Sequence, residues 1–507
     1  MPALASRFNE PGNIVTSKAR DPHAGLILEA HPLRVLRAMA VPAVAMMLMF
    51  GLNSVMDAVY IGQLLGQQAL AGVSLAFPVT QVTLGLGSLA GIGGGVVLSI
   101  AIGKGDQDTL RKLPGTCLGI ALVMSGLYAL AGVGFTETLV RGMGARGELV
   151  PIAADYLRAH AAGGFAAIGG LSLNMLLRGE GKMALAAIFM ATGLLANLIL
   201  TPLFIIAFDW GVAGAAWATN VGALLGGGLV WLRFARGKAS YEVDARHIGL
   251  PRDLAGRIAK FGVPAMISSS MGLVQAIVVF NMLARIGTEE DIAFYGASWR
   301  VLLFMLTPLF GLMRAFQPVA GINYGAGRWD RVKLHYWVFV GAGTLMVFPI
   351  WVFMGLNPEA TLSVMLPGVE FSELDLGRFR VLILVLPVLP LVFTALSLLP
   401  AIEQPGKATM VSVTRQLFLY VPVMLLVPPM VGISGIYYGA TTIDFACAMW
   451  LLAIVITTFR KGPGEPGAGA GRVIGPSDPW RAGAPVRAFS LAVEENLSRD
   501  QYTVPKI

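Results

Sequence analysis

The chain has 507 residues, of which 56% are hydrophobic and only 13% charged. A soluble domain carries about a quarter charged residues, so a soluble enzyme with its own core is excluded and an all-α integral membrane protein is expected. The net charge of +8 would suggest a nucleic-acid partner only if the basic residues formed a patch; they are spread through short loops, and none is expected.

Residues 1–32 are polar and mixed, with no basic stretch leading into an apolar run and a small-residue cleavage site. They read as a cytoplasmic tail. A membrane span needs about 20 apolar residues. On that measure the sequence predicts twelve spans, over 38–63, 71–102, 114–136, 150–172, 183–207, 211–233, 261–285, 292–322, 334–355, 380–402, 408–430 and 434–459. The second and eighth are long for a straight span, and Pro78, Pro308 and Pro318 within them each remove a backbone donor. Residues 234–260 are basic and polar and read as a cytoplasmic linker. Residues 461–507 are rich in Gly and Pro and read as a disordered cytoplasmic tail.

The loop charges support this count. With both termini inside, the inward loops hold Lys104, Arg111, Lys112, Arg178, Lys182, most of the basic residues of 233–260, Arg328, Arg331, Lys333, Lys407, Arg460 and Lys461. The outward loops hold only Arg141, Arg146, Arg285, Arg378 and Arg380. Such a bias orients a multi-pass protein of a cell (inner) membrane. The chain also repeats. Val41-Pro42-Ala43 returns as Val263-Pro264-Ala265, 222 residues later, and the same offset carries Gly103 to Gly325 and Asp108 to Asp330. An even number of spans per half makes the repeat parallel, giving two six-helix lobes over 33–233 and 261–460.

Asp57 is the only charge in the first span, and no Lys or Arg lies between Arg37 and Lys104. An intramembrane carboxylate is costly and marks an ion or proton site by default. Asn53 lies one turn earlier on the same face. Asn197 and Thr201, four apart in the fifth span, also share a face; Thr219 and Asn174 are further polar residues in apolar segments. Each could instead serve interhelical hydrogen bonding. In the second half Gln275, Arg300, Arg314, Gln317, Asn323, Arg415, Gln416 and Asp444 lie in or near spans, with Arg415 and Asp444 candidates to pair across helices. Cys117 and Cys447 fall in apolar segments and read as buried hydrophobes. The five histidines (His23, His31, His160, His247, His335) are scattered, and no hydrolase or metalloprotease motif appears, so no enzyme is expected.

Leu177-Arg-Gly-Glu-Gly-Lys182, Asn197-Leu-Ile-Leu-Thr-Pro202 and Gly211-Val-Ala-Gly-Ala-Ala-Trp-Ala-Thr219 resemble the fifth-to-sixth-span region of the MATE (multidrug and toxic compound extrusion) family. Pro308 to Gly327, Ala401-Ile-Glu-Gln-Pro-Gly-Lys-Ala408 and Arg415-Gln416 resemble its eighth span and its tenth-to-eleventh region. The resemblance covers about 33–460 and implies antiport export of organic, often cationic or amphiphilic, small molecules from a membrane-embedded monomer, driven by H+ or Na+. It places ion coupling at Asp57, Asn197 and Thr219, to which position in the spans adds Asn53, Asn174 and Thr201 as candidates, with no cofactor beyond the coupling ion. Gln275, Arg300, Gln317, Arg415 and Asp444 are candidates for the substrate cleft. The family often places an Asp before the fifth-span Pro, where this chain has Thr201. The alternative is a lipid-linked precursor or polysaccharide flippase of the same superfamily, kept open by Arg300, Arg314 and Arg415.

Overall fold

The computed structural model describes residues 22–143, 145–244, 248–366 and 368–462, and those residues are helical throughout apart from the connections. Helices satisfy their own backbone groups, which hydrocarbon cannot do. Twelve membrane-spanning helical columns follow one another. Spans 1 to 6 are Pro32–Leu65, Gln67–Lys104, Gln107–Gly134, Leu149–Gly179, Met183–Ala207 and Gly211–Ala235. Spans 7 to 9 are Arg252–Ile286, Glu289–Gly325 and Trp329–Leu356. Span 10 is Glu373–Ile383 continued by Leu389–Ala401, and spans 11 and 12 are Pro405–Val431 and Ser434–Lys461. Alternation of direction gathers Lys104, Lys112, Lys182, Arg328 and Lys461 at one end, called here the basic end.

Several columns are broken. Span 2 breaks at Gln81, three residues after Pro78, as the proline foreshadows. Span 8 runs as one continuous helix through both Pro308 and Pro318. Span 4 bends by 52° at Gly163, where an added Cβ would meet the Asn220 side chain. Span 10 opens into turns over 384–388, beside Pro387 and Pro390. Spans 5 and 11 each contain a π-helical turn, Leu203–Ala207 after Pro202 and Thr414–Tyr420. Such turns recur at functional sites.

The lobes meet in the basic half, and glycine makes the contact possible. A Cβ on Gly103 of span 2 would come within 2.8 Å of Gly325 Cα in span 8, and one on Gly325 within 3.0 Å of Gly103 Cα. These two are repeat equivalents, so the pseudo-twofold axis passes between them. Gly93 packs on Gly262 of span 7, and Gly311 of span 8 on Ala43 and Val44 of span 1. Hydrogen bonds between the lobes fall on the same half: Gln317 Nε2 donates to Ser99 Oγ at 3.3 Å, and Lys104 Nζ lies 2.8 Å from Glu403 Oε1. The seam is closed at the basic end.

Two stretches read as polar connections are structured. Within the N-terminal tail, Pro22–Glu29 is a helix whose Ile27 is fully buried against the second lobe. Arg328 donates to Leu28 O at 2.7 Å and Arg331 to Ala30 O at 2.7 Å, so arginines cap its last carbonyls. The linker is shorter than 234–260, because span 7 starts at Arg252. Its described part straps the first lobe: Ser240 N and Oγ donate to Glu180 Oε1 at 2.8 and 2.5 Å, and Lys182 Nζ lies 2.6 Å from the same oxygen. Glu180 is fully buried. Cys117 and Cys447 are free and buried, as read from their apolar surroundings. The C-terminal tail beyond 462 lies outside the described residues.

Candidate functional site

Spans 1, 5 and 6 bring Asp57, Asn53, Asn197, Thr201 and Thr219 into one cluster. One helical turn separates Asn53 from Asp57, and Asn53 Nδ2 donates to Asp57 Oδ2 at 3.3 Å. The hydrogen-bond network orients the Asn197 amide with its nitrogen toward span 1. Asn197 then donates to Asp57 Oδ1 at 3.1 Å, and its oxygen accepts from the Thr219 hydroxyl at 3.2 Å. Thr201 Oγ1 donates to Asn197 O at 2.9 Å within span 5 and lies beside the Asp57 carboxyl. Asn197 and Thr201 are buried, whereas Asp57, Asn53 and Thr219 are half-buried. With eight residues between Asp57 and the end of span 1, the cluster sits about 12 Å inside the end opposite the basic one.

Each carboxylate oxygen thus receives one amide N–H, and no cationic side chain bonds to it among the described residues. With its carboxyl ionised, the site carries a single negative charge surrounded by neutral groups. It can take up one proton or one monovalent cation without leaving a net charge in the bilayer, where a net charge is expensive. Among the described residues no group of three or more His, Cys, Asp or Glu side chains converges, so this is no multidentate carboxylate site.

Asn174 does not join the cluster. Its Nδ2 donates to Ala186 O at 2.8 Å and its Oδ1 accepts two bonds from Arg178, at 2.8 and 2.7 Å. Its position four residues before Arg178 on span 4 gives it that partner, apart from the other five residues expected in the ion-coupling set. The cluster instead has a neighbour that the sequence reading passed over. Tyr156 of span 4 packs on the apolar cluster that holds Ile61, one turn beyond Asp57, and stacks on His160, with ring centroids 6.3 Å apart. His160 Nδ1 lies 3.0 Å from the Tyr128 hydroxyl. The available signal was the i, i+4 spacing of Tyr156 and His160, two polar rings on one face of an apolar span.

The second-half candidates separate into three places. Arg415 and Asp444 pair across spans 11 and 12, with Nε to Oδ1 at 2.8 Å and an Nη at 2.6 Å. Arg415 also donates to Gln416 Oε1 at 3.1 Å, Gln416 Nε2 to Gln275 Oε1 at 3.4 Å, and the guanidinium lies 5.8 Å from the Tyr420 ring. The π-helical turn of span 11 carries Arg415, Gln416 and Tyr420. Tyr295 adds an aromatic wall, stacked on Trp299 at 6.3 Å and edge-on to Tyr437 at 5.6 Å. Gln317 is not part of this group; it belongs to the seam, bonded to Ser99. Arg300 is exposed and is bonded to neither group.

Two parallel six-helix lobes, sealed at one end and holding a lone half-buried carboxylate toward the other, define a multi-pass membrane transporter. The family model MatE matches residues 42–203 and 264–426, one stretch in each lobe, and the chain belongs to that family. It is 23% identical over 406 residues to the multidrug export protein MepA of Staphylococcus aureus (strain MSSA476), covering 79% of this chain and 88% of that one. The fold matches the crystal structure of MATE in the bent conformation with a TM-score of 0.80, at 21% identity, over 87% of this chain and 99% of the other. It matches the outward-facing conformation of a multidrug resistance MATE transporter with a TM-score of 0.79, at 22% identity, over 87% and 98%.

Proposed function

We propose that this protein is a secondary active efflux transporter, exporting organic cationic or amphiphilic small molecules in exchange for H+ or Na+. The observation that carries the reading is the Asp57 cluster: one carboxylate bonded by two amides, with Thr201 beside it and Thr219 bonded to Asn197, on the side of the seam away from the closed basic end. The export half of the reading rests on the multidrug export relatives. Both carboxylate oxygens accept N–H donors, which favours the ionised form that either H+ or Na+ would neutralise. The Arg415–Asp444 pair with its aromatic neighbours is proposed to line the substrate path on the second lobe, where flat rings suit organic cations. The reading puts the basic end, both termini and the linker on the cytoplasmic side of a cell (inner) membrane, which the positive-inside bias supports, and takes the monomer as the working unit.

The test is reconstitution in proteoliposomes with a pH gradient or a Na+ gradient imposed alone. The reading expects a fluorescent organic cation to move against its own gradient under one of the two, and the gradient that moves it names the coupling ion. No movement of any cationic dye, together with flipping of a lipid-linked precursor, would replace the reading with the flippase one.

A further inference from the structure

The helix Pro22–Glu29 belongs to no span, yet it bridges the two lobes at the basic end. Only Ala30 and His31 separate it from span 1 of the first lobe. Its last turn is held by the second lobe. Arg328 Nη1 donates to Leu28 O at 2.7 Å, and Arg331 Nη2 to Ile27 O at 3.2 Å and to Ala30 O at 2.7 Å. Asn323 Nδ2 of span 8 lies 3.5 Å from Ile27 O.

The Ile27 side chain, fully buried, meets both lobes. Gly181, in the turn between spans 4 and 5, leaves room for it. The φ of Gly181 is +82°, which suits glycine, and a Cβ there would lie 2.9 Å from Ile27 Cδ1 and 3.8 Å from Ile322 Cδ1. Ile27 from the tail, Gly181 from the first lobe and Ile322 from the second thus converge on one point. Met183, the first residue of span 5, is 1% exposed in the same apolar cluster. Ile322 is itself a seam residue, because a Cβ on Gly103 would press on its carbonyl oxygen. The three-way contact lies one turn from the Gly103–Gly325 crossing.

An eight-residue helix is too short to hold its form alone in water, so this one is ordered by what it docks on. The two-residue tether reaches at most about 7 Å. When the lobes part further than that, the helix can follow only one of them. It leaves the arginines of the second lobe, or Ile27 leaves Gly181 and Met183 of the first. Either way the Ile27 side chain loses half of its enclosure, and the cost falls on the open state alone.

We propose that Pro22–Glu29 is a latch: Ile27, seated between Gly181 and Ile322, holds the basic end shut, and its release accompanies every opening there. The latch stands whatever compound is transported and whichever ion drives it.

The full-length protein carrying Cys117→Ala and Cys447→Ala is placed in lipid nanodiscs, so that a membrane-impermeant maleimide reaches both ends. Ile100→Cys, 1% exposed at the seam, reports opening of the basic end, and Leu113→Cys, fully buried within the first lobe, reports general loosening. Ile27→Val removes one methylene-sized group and should speed labelling at Ile100→Cys by up to about fourfold; Ile27→Ala removes three, with a ceiling of roughly 50-fold. Arg328→Gln, which takes away the cap on Leu28 O without touching the apolar contact, should act in the same direction by about threefold. Labelling at Leu113→Cys should stay at its wild-type rate in all three. Wild-type labelling of Ile100→Cys in Ile27→Ala overturns the proposal, whether or not the melting temperature falls. Equal acceleration at Leu113→Cys overturns it as well. If Ile27→Ala does not assemble, wild-type labelling in both Ile27→Val and Arg328→Gln has the same force.

Discussion

Replacing Gly325 by Ala tests the seam at the point where the repeat axis crosses it. The added Cβ would press on the Ile100 carbonyl oxygen and lie 3.0 Å from Gly103 Cα. Both are backbone atoms, so no rotamer change relieves the contact and spans 2 and 8 must move apart. Overpacking of this kind costs about 1–3 kcal/mol. The cost falls only on the state in which the basic end is shut, so the equilibrium moves toward its opening by roughly 5- to 150-fold. Ile100, 1% exposed beneath that contact, reports the change when substituted by Cys in a background lacking Cys117 and Cys447. In inside-out vesicles, labelling by a membrane-impermeant maleimide should accelerate by at least about fivefold in Gly325→Ala. An unchanged labelling rate, with or without a fall in melting temperature, would show that the Gly103–Gly325 contact does not hold the seam.

The same labelling assay reads the Lys104–Glu403 pair. With side chains 25% and 32% exposed, the pair is worth about 0.2–1 kcal/mol, so Lys104→Glu should speed labelling by no more than about fivefold and the double exchange with Glu403→Lys should restore it. Failure of the double exchange would mean that the two residues act separately. Glu180→Gln removes the buried charge that accepts from Lys182 and from Ser240 N and Oγ, and should cost about 3 kcal/mol, seen as a lowered melting temperature and earlier proteolysis within the 234–251 strap. An unaltered cleavage pattern would show that the strap is held by other contacts. Asn197→Leu deletes one donor to the Asp57 carboxylate, worth about 1.5–3 kcal/mol for a charged acceptor, and should move the pH dependence of transport to higher pH together with a lowered melting temperature. A pH profile identical to wild type would place Asn197 outside the coupling set.

The architecture was legible because its signals are long-range and redundant. Apolar length marks spans, alternating loop charge orients them, and the 222-residue repeat divides them into two halves. The cluster was legible for a simpler reason: an unpaired carboxylate in an apolar span must find polar company, and Asn53 on the same face is one turn away. What the sequence hides is which lateral face a helix turns to its neighbours. Asn174 and Asn197 look alike as amides in apolar spans, yet one serves Arg178 and the other faces Asp57. Tyr156 was missed for the converse reason, since a tyrosine near a span end reads as an interface anchor. The docked helix Pro22–Glu29 and the strap around Ser240 were hidden because their partners, Arg328, Arg331 and Glu180, lie far away in sequence. The helix breaks were legible only in part: Pro78 marks one, whereas Pro308 and Pro318 mark none.

The central claim is that Asp57 carries the ion that drives export. The most direct measurement is uptake of a fluorescent organic cation into inside-out vesicles under an imposed pH or Na+ gradient, comparing wild type with Asp57→Asn. The isosteric amide keeps the shape and one of the two accepting oxygens but holds no exchangeable charge. Gradient-driven uptake by the wild type that is lost in Asp57→Asn, with dye binding retained, is the expected result. Uptake in Asp57→Asn at the wild-type rate and with the wild-type gradient dependence would contradict it.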